Sequence, residues 1–375
     1  MAPPIAIIGA GPLGLATALA LSRRGQAVEI FDARSLAATQ QDNRTLALSH
    51  GSRELLELLG AWPAALATPI THITISQQSG FARSQLSAAE QRLPALGYVL
   101  GASALHAALL RQVQAAGIPL HEETRLESSQ PEAAYIELQL QHATSQARLL
   151  LRCEGFVPEQ EATRIRDYDQ HALLCRATPV APHQNLAHER FTARGPIALL
   201  PFGQDYAVVW TVPAQEAEGL LTAPEAEWLG ALNGALGGLA TLNSISERAH
   251  HPLGLRMRRE ITAPRCVWLG NAAQTLHPVA GQGFNLALRD AWELADTLTG
   301  ASDPGAPELL ARYAARRKLD REGAAGFTDL LVRGFSTHNP LISGLRGAGL
   351  AALEVLPPLR HFVAKRMIYG ARAWP

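Results

Sequence analysis

Six consecutive residues, Gly9-Ala10-Gly11-Pro12-Leu13-Gly14, carry a G-x-G-x-x-G spacing whose chemistry is the grip of a pyrophosphate. Gly9 allows a tight turn, Gly11 lets the backbone approach the phosphates, and Gly14 lets a helix pack closely on a strand. Asp32 follows Gly14 by eighteen residues, where a carboxylate accepts hydrogen bonds from ribose hydroxyls. This spacing by itself does not choose between a nicotinamide and a flavin dinucleotide.

A second glycine-rich stretch stands far along the chain, where His277-Pro278-Val279-Ala280-Gly281-Gln282-Gly283 runs into a helical segment at 284 to 298. Backbone N–H groups at such a helix start, with the positive end of its dipole, stabilise an anionic ring system. Bare backbone at Gly281 and Gly283 lets a planar ring lie close. His277 is the titratable group of this loop and its candidate for proton transfer.

These residues need elements to hold them. Ile5-Ala6-Ile7-Ile8 is a continuous apolar run, as in a strand buried on both faces of a parallel sheet. Residues 12 to 24 form a helix closed by Gly25, and Ala27 to Phe31 a second strand, so the first motif sits in a strand-helix-strand unit. Helices are predicted over 44 to 60 and 101 to 117, a strand over 70 to 76, and a buried strand from Cys266 to Leu269. The stretch 196 to 212 predicts a hairpin turning at Gly203-Gln204-Asp205. Hairpins belong to antiparallel sheet and the opening unit to parallel sheet, so an α/β fold with two interleaved architectures follows.

Composition narrows the function. The 375 residues include 33 basic and 33 acidic side chains, and this zero net charge lacks the footprint of a nucleic-acid binder. Lys318 and Lys365 are the only lysines, and neither follows a glycine, which excludes a P-loop. Cys153, Cys175 and Cys266 are odd in number and far apart, which fits a reducing compartment and offers no metal or redox pair. The apolar N-terminal run lacks a preceding positive region and is broken by glycines and a proline, so a cytoplasmic protein without a membrane span is expected.

The segment Gly270-Asn271-Ala272-Ala273-Gln274-Thr275-Leu276-His277-Pro278, continuing through Gly281, Gly283 and Asn285, strongly resembles the second FAD-contacting segment of flavin-dependent aromatic hydroxylases. With Asn after Gly270 and the Gln-Thr-Leu-His-Pro run, it looks like the ubiquinone-biosynthesis hydroxylases, above all the 2-polyprenyl-6-methoxyphenol hydroxylase branch. Arg44-Thr45-Leu46-Ala47-Leu48-Ser49, Leu59-Gly60-Ala61-Trp62 and Leu331-Val332-Arg333-Gly334-Phe335-Ser336 with Asn339-Pro340-Leu341 agree, so the resemblance spans the chain.

The resemblance implies FAD as cofactor, with Gly9, Gly11, Gly14, Asp32, Arg44, Asn271, Gly281, Gly283 and Asn285 around it. It places Pro278, His277 and Gln282 beside the reacting ring, Pro278 as a wall without an N–H. It also implies a Rossmann-like FAD-binding domain (1–69, 96–178 and 256–326) interleaved with a mixed or antiparallel substrate domain (70–95 and 179–255), and C-terminal helices over 327–375. The activity implied is hydroxylation by O2, through a flavin C4a-hydroperoxide, of a polyprenylated phenol. Because that tail lives in a bilayer, the apolar and basic 327–375 segment is the candidate for a peripheral contact with the inner face of the membrane.

One departure bears on the electron donor, NAD(P)H or another. Where the family carries Gly-Ala-Asp-Gly, this chain reads Arg152-Cys153-Glu154-Gly155. Two alternatives stay open: a non-catalytic flavin-fold partner in a quinone-synthesis complex, or a reductase or halogenase of the same fold.

Overall fold

The computed structural model describes residues 2–39, 41–78, 83–278, 281–335, 352 and 354–370. The expectations on Val279, Ala280, Ser336 and Asn339 to Leu341 lie outside these residues. Along the chain, β1 (Ile5–Ile8), α1 (Pro12–Ser22), β2 (Val28–Phe31) and a short α2 (Leu36–Thr39) open the fold. Then come β3 (Thr45–Ser49), α3 (His50–Leu58), β4 (Thr68–Ile70), β5 (His72–Gln77), β6 (Arg83–Ser87), β7 (Gly97–Gly101), α4 (Ala102–Ala115) and β8 (Leu120–His121). A meander of β9 (Leu126–Pro131), β10 (Ile136–Leu140) and β11 (Ala143–Ala147) leads to β12 (Leu149–Arg152). The long β13 (Ala162–Pro179), β14 (Leu186–Phe191), β15 (Pro196–Phe202) and β16 (Asp205–Pro213) precede α5 (Ala214–Thr222) and α6 (Glu225–Leu236). Last are β17 (Leu242–Ile245), β18 (Ala249–Arg258), β19 (Thr262–Ala263), β20 (Cys266–Trp268), β21 (Gln274–Thr275), α7 (Gln282–Thr297), α8 (Pro307–Phe335) and the helix Pro357–Tyr369.

The apolar run of β1 becomes the middle of a six-stranded sheet ordered β19-β20-β12-β1-β2-β8, parallel except at β19. Its two faces bury different things. Ile5 and Ile7 join the core beneath α1, α4 and α7, whereas Ala6 and Ile8 pack on the alternating residues Ile136, Leu138 and Leu140 of β10. Because both faces are covered, the strand needs no polar alternation.

The second architecture is a nine-stranded sheet ordered β21-β18-β13-β16-β15-β14-β5-β6, with β17 beside β13. Its hairpin turns at Gly203, whose φ of +63° suits glycine. One face of this sheet is buried under α5 and α6 through Leu199, Val208 and Trp210, the last edge-on to Trp228 at 5.3 Å. The other face carries partly exposed apolar side chains, among them Ile75, Leu200 and Val209.

Three expectations change. Residues 45 to 49 are strand β3 rather than the start of a helix, because Thr45 to Ser49 pair antiparallel with Gly97 to Gly101, a partner far away in the chain. The boundary drawn at 178 falls inside β13, which belongs wholly to the nine-stranded sheet. The one drawn at 326 falls inside α8, which continues to Phe335.

Candidate functional site

The first glycine turn is held on three sides. Gly9 has a φ of +106° and donates its N–H to the Phe31 carbonyl at 2.7 Å. Gly14 lies against the carbonyl of Gly9 with no room for a side chain, whereas a Cβ on Gly11 would meet no atom within 4 Å. So Gly9 and Gly14 shape the turn, and Gly11 faces open space. Asp32 is buried at the end of β2, where one carboxylate oxygen accepts the Ala10 N–H at 2.7 Å and the other the Arg34 N–H at 2.8 Å. A carboxylate has about four lone-pair directions, so Asp32 braces the turn and keeps acceptor capacity.

The sequence reading missed His106. This buried α4 residue donates Nε2–H to the Ala10 carbonyl at 2.9 Å, since a carbonyl can only accept. Burial lowers its pKa, so a neutral ring supports the turn from below. His106 lies on the buried face of α4 with Ala102, Leu109 and Leu110, and its residue type alone carries no signal of this role in the sequence.

The departing segment buttresses the same turn: a Cβ on Gly9 would lie 3.1 Å from the Glu154 Cβ and 3.3 Å from the Cys153 carbonyl carbon. Burial raises the Glu154 pKa, as does the charge of Asp32, while Arg152, 3.7 Å away, opposes the rise.

The second turn meets the first through α1 and α7. Gly270, with φ +58°, ends β20 so close to α1 that its Cβ would strike the Leu13 side chain, and Ala287 of α7 would be 3.5 Å from it. Gly281 takes a left-handed φ of +59° as N-cap of α7 and Gly11 is the N-cap of α1, so neither helix start has a side chain at its N-cap to occupy its N–H groups. Arg24, just past α1, pairs with Asp296 near the end of α7, so the two helices run side by side in one direction and their starts, with free N–H groups and positive dipole ends, open toward the same end of the pair. Gly283 and Pro278 are exposed there.

Other predicted site residues are placed differently. Asn285 is not available to a ligand, because all its capacity is used: Nδ2 donates to the carbonyls of Gly281 at 2.7 Å and Ala47 at 3.0 Å, and Oδ1 accepts from Ser52 Oγ at 2.7 Å and the Ser49 N–H at 2.8 Å. It clips the loop to β3 and α3. Gln282 is buried and directs Nε2 toward the Met367 carbonyl at 3.4 Å, so it links the loop to the helix Pro357–Tyr369. His277 is 1% exposed, edge-on to Tyr168 at 5.5 Å, and burial lowers its pKa to about 4, which leaves a neutral ring. Arg44 is an exposed residue at the head of β3 whose guanidinium grips Asp42 at 2.6 Å. Asn271 is exposed on the single turn after β20.

The FAD binding domain family matches residues 3–327 of this chain. The chain belongs to that family. Among similar proteins, ubiquinone hydroxylase UbiL of Rhodospirillum rubrum is 30% identical over 99% of this chain and 90% of its own length. The 3-demethoxyubiquinol 3-hydroxylase of Escherichia coli is 30% identical over 93% of this chain and 94% of its own. The fold resembles that of PqsL, a probable FAD-dependent monooxygenase from Pseudomonas aeruginosa, with a TM-score of 0.77, 20% identity, and coverage of 94% of this chain and all of the other.

In this FAD-family member the two turns fit their group. Open space over Gly11 and the two uncapped helix starts suit a pyrophosphate and an electron-rich ring edge, and the capacity left on Asp32 suits a ribose.

Proposed function

We propose that this chain hydroxylates the aromatic ring of a polyprenylated phenol in ubiquinone synthesis, with O2 as co-substrate and NAD(P)H or another donor as reductant. The observation that carries this reading is the half-exposed apolar face of the nine-stranded sheet, joined to the His277–Pro278 turn by the Phe191–Tyr168–His277 packing. An apolar ring fits a wall of this kind, and a protein made only to hold a nucleotide has no use for it. The names of the similar hydroxylases point the same way.

FAD, when bound, supplies the reductive activation of O2. The residues do the rest. Gly9, Gly11 and Gly14 would seat the pyrophosphate on the start of α1, with Asp32 on the ribose and Arg44 and Asn271 at the rim. The Gly281–Gly283 backbone at the start of α7 would stabilise negative charge on the flavin ring. Pro278, without an N–H, would wall the reacting side and donate no proton. Neutral His277 then acts as a packed spacer rather than an acid.

A peripheral membrane contact belongs to the same proposal. The helix Pro357–Tyr369 and the residues before it leave Val355 73%, Leu356 51% and Phe362 41% exposed, beside exposed Lys365. Among the described residues no helix is long and apolar enough to cross a membrane.

The test is a ubiquinone-deficient hydroxylase strain carrying this chain, with lipid extracts examined by mass spectrometry. One added oxygen on the accumulated precursor is expected. Yellow, FAD-loaded protein that restores no hydroxylation in any such strain would leave the non-catalytic partner as the reading.

A further inference from the structure

Strand β14 reads Leu186-Ala187-His188-Glu189-Arg190-Phe191, and its alternation assigns side chains to two faces. His188 and Arg190 turn toward α6, where Arg190 donates Nε–H to the Ala235 carbonyl at 2.7 Å. Ala187, Glu189 and Phe191 turn the other way, toward the FAD-binding half. Ala187 packs with Val99 of β7, and Phe191 with Val332 of α8. These two contacts are buttresses at either end of a strip, and Glu189 sits midway between them, roughly 7 Å from each along the strand.

Its cross-strand neighbours are Ile75 and Ala198, both apolar and both partly exposed. Among the described residues no hydrogen bond or ion pair reaches the Glu189 carboxyl. The titratable groups on the surrounding elements are engaged elsewhere: Asp329 of α8 holds Arg166 and the Tyr168 hydroxyl, and His277 is buried neutral. A lone carboxyl on an apolar wall is costly to ionise, and a protein without use for it would place an apolar side chain there.

We propose that Glu189 is the catalytic residue that receives the ring hydroxyl of the substrate, binding the phenol oxygen and taking its proton as the ring is oxidised. This rests on the phenol-hydroxylase reading above. In the step, the phenol O–H bond breaks, a new O–H bond forms on Glu189 Oε, and the electron pair stays on the phenol oxygen, where it enriches the ring carbons that accept oxygen. No electron passes to or from the carboxyl, and the proton is released to water when the product leaves. Glu189 is itself partly exposed and so open to a ligand, while desolvation by its apolar surroundings raises its pKa to about 8, within about 2 units of a phenol instead of the roughly 6 of an ordinary glutamate.

The FAD-loaded full chain and its Glu189→Gln, Glu189→Asp and Glu189→Leu variants test this with 2-geranyl-6-methoxyphenol. Calorimetric binding in two buffers of different ionisation heat is expected to show a fraction of a proton exchanged at about pH 8 in the native chain and none in Glu189→Gln. In turnover, kcat for Glu189→Gln is expected to fall roughly 100-fold with FAD affinity unchanged, Glu189→Asp recovering part of it and Glu189→Leu also raising KM. A native chain that turns over, beside a Glu189→Gln variant with the same kcat and proton count, overturns the role of Glu189 alone. A loaded native chain that neither binds nor oxidises the phenol overturns the phenol reading and this inference with it.

Discussion

A Cβ placed on Gly14 would lie 1.8 Å from the carbonyl oxygen of Gly9, so α1 and the turn that feeds it are packed backbone to backbone. Nothing but glycine fits without prising the helix off the strand. Gly14→Ala should therefore lower the stability of the apo-protein by about 2 kcal/mol or more. Gly11→Ala should behave oppositely: with open space around its Cβ, the apo-protein keeps its melting temperature, while FAD binds ~10-fold or more weakly, about 1.4 kcal/mol. Thermal melts of apo-protein and flavin fluorescence titrations check both, and a Gly11→Ala protein with native FAD affinity would contradict the pyrophosphate seat.

Asn285→Ala removes four hydrogen bonds at once and strands the Ser49 N–H and the Gly281 carbonyl. The expected loss is on the order of 2 to 4 kcal/mol. Asn285→Asp should be no milder, because a carboxylate cannot donate to the Ala47 and Gly281 carbonyls and repels them. Denaturant midpoints of the two variants decide, and a harmless Asn285→Asp would count against the clip.

Acid should weaken the fold early. Burial lowers the pKa values of His277 and His188 to about 4, against about 6.5 in the unfolded chain. A depressed folded value means that the stabilising contribution is complete above about pH 6.5 and is lost as pH falls through about 4. Each ring adds a slope of at most about 1.4 kcal/mol per pH unit in that window. Urea midpoints between about pH 7.5 and 4.5 should fall less steeply in His188→Gln than in the native chain; parallel curves would refute the neutral ring.

Leu359 and Phe362 lie on one side of the helix Pro357–Tyr369 and are 39% and 41% exposed. Glutamate at both should reduce sedimentation with anionic vesicles by about 10-fold while leaving FAD content unchanged. Unaltered vesicle binding would mean that this surface does not meet lipid.

The proposed FAD seat draws on parts that are close in the chain: Gly9, Gly11, Gly14 and Asp32 span one strand-helix-strand unit, and Gly281 and Gly283 the start of α7. Local backbone needs, a tight turn and a bare approach, write themselves directly into residue type. Asn285, in the first turn of α7, carries no sign in the sequence of its clip role, because its partners Ser49 and Ser52 come from over two hundred positions away.

The sequence by itself determined where glycine is obligatory, which runs are buried strands, and that two architectures alternate. Tertiary structure alone decided that Thr45 to Ser49 is a strand, that His106 supports the first turn, and which face of β14 Glu189 occupies. The physical reason is the same in each case. Strand pairing, desolvation and hydrogen-bond saturation depend on what arrives from elsewhere in the chain, and no local pattern of side chains encodes that arrival.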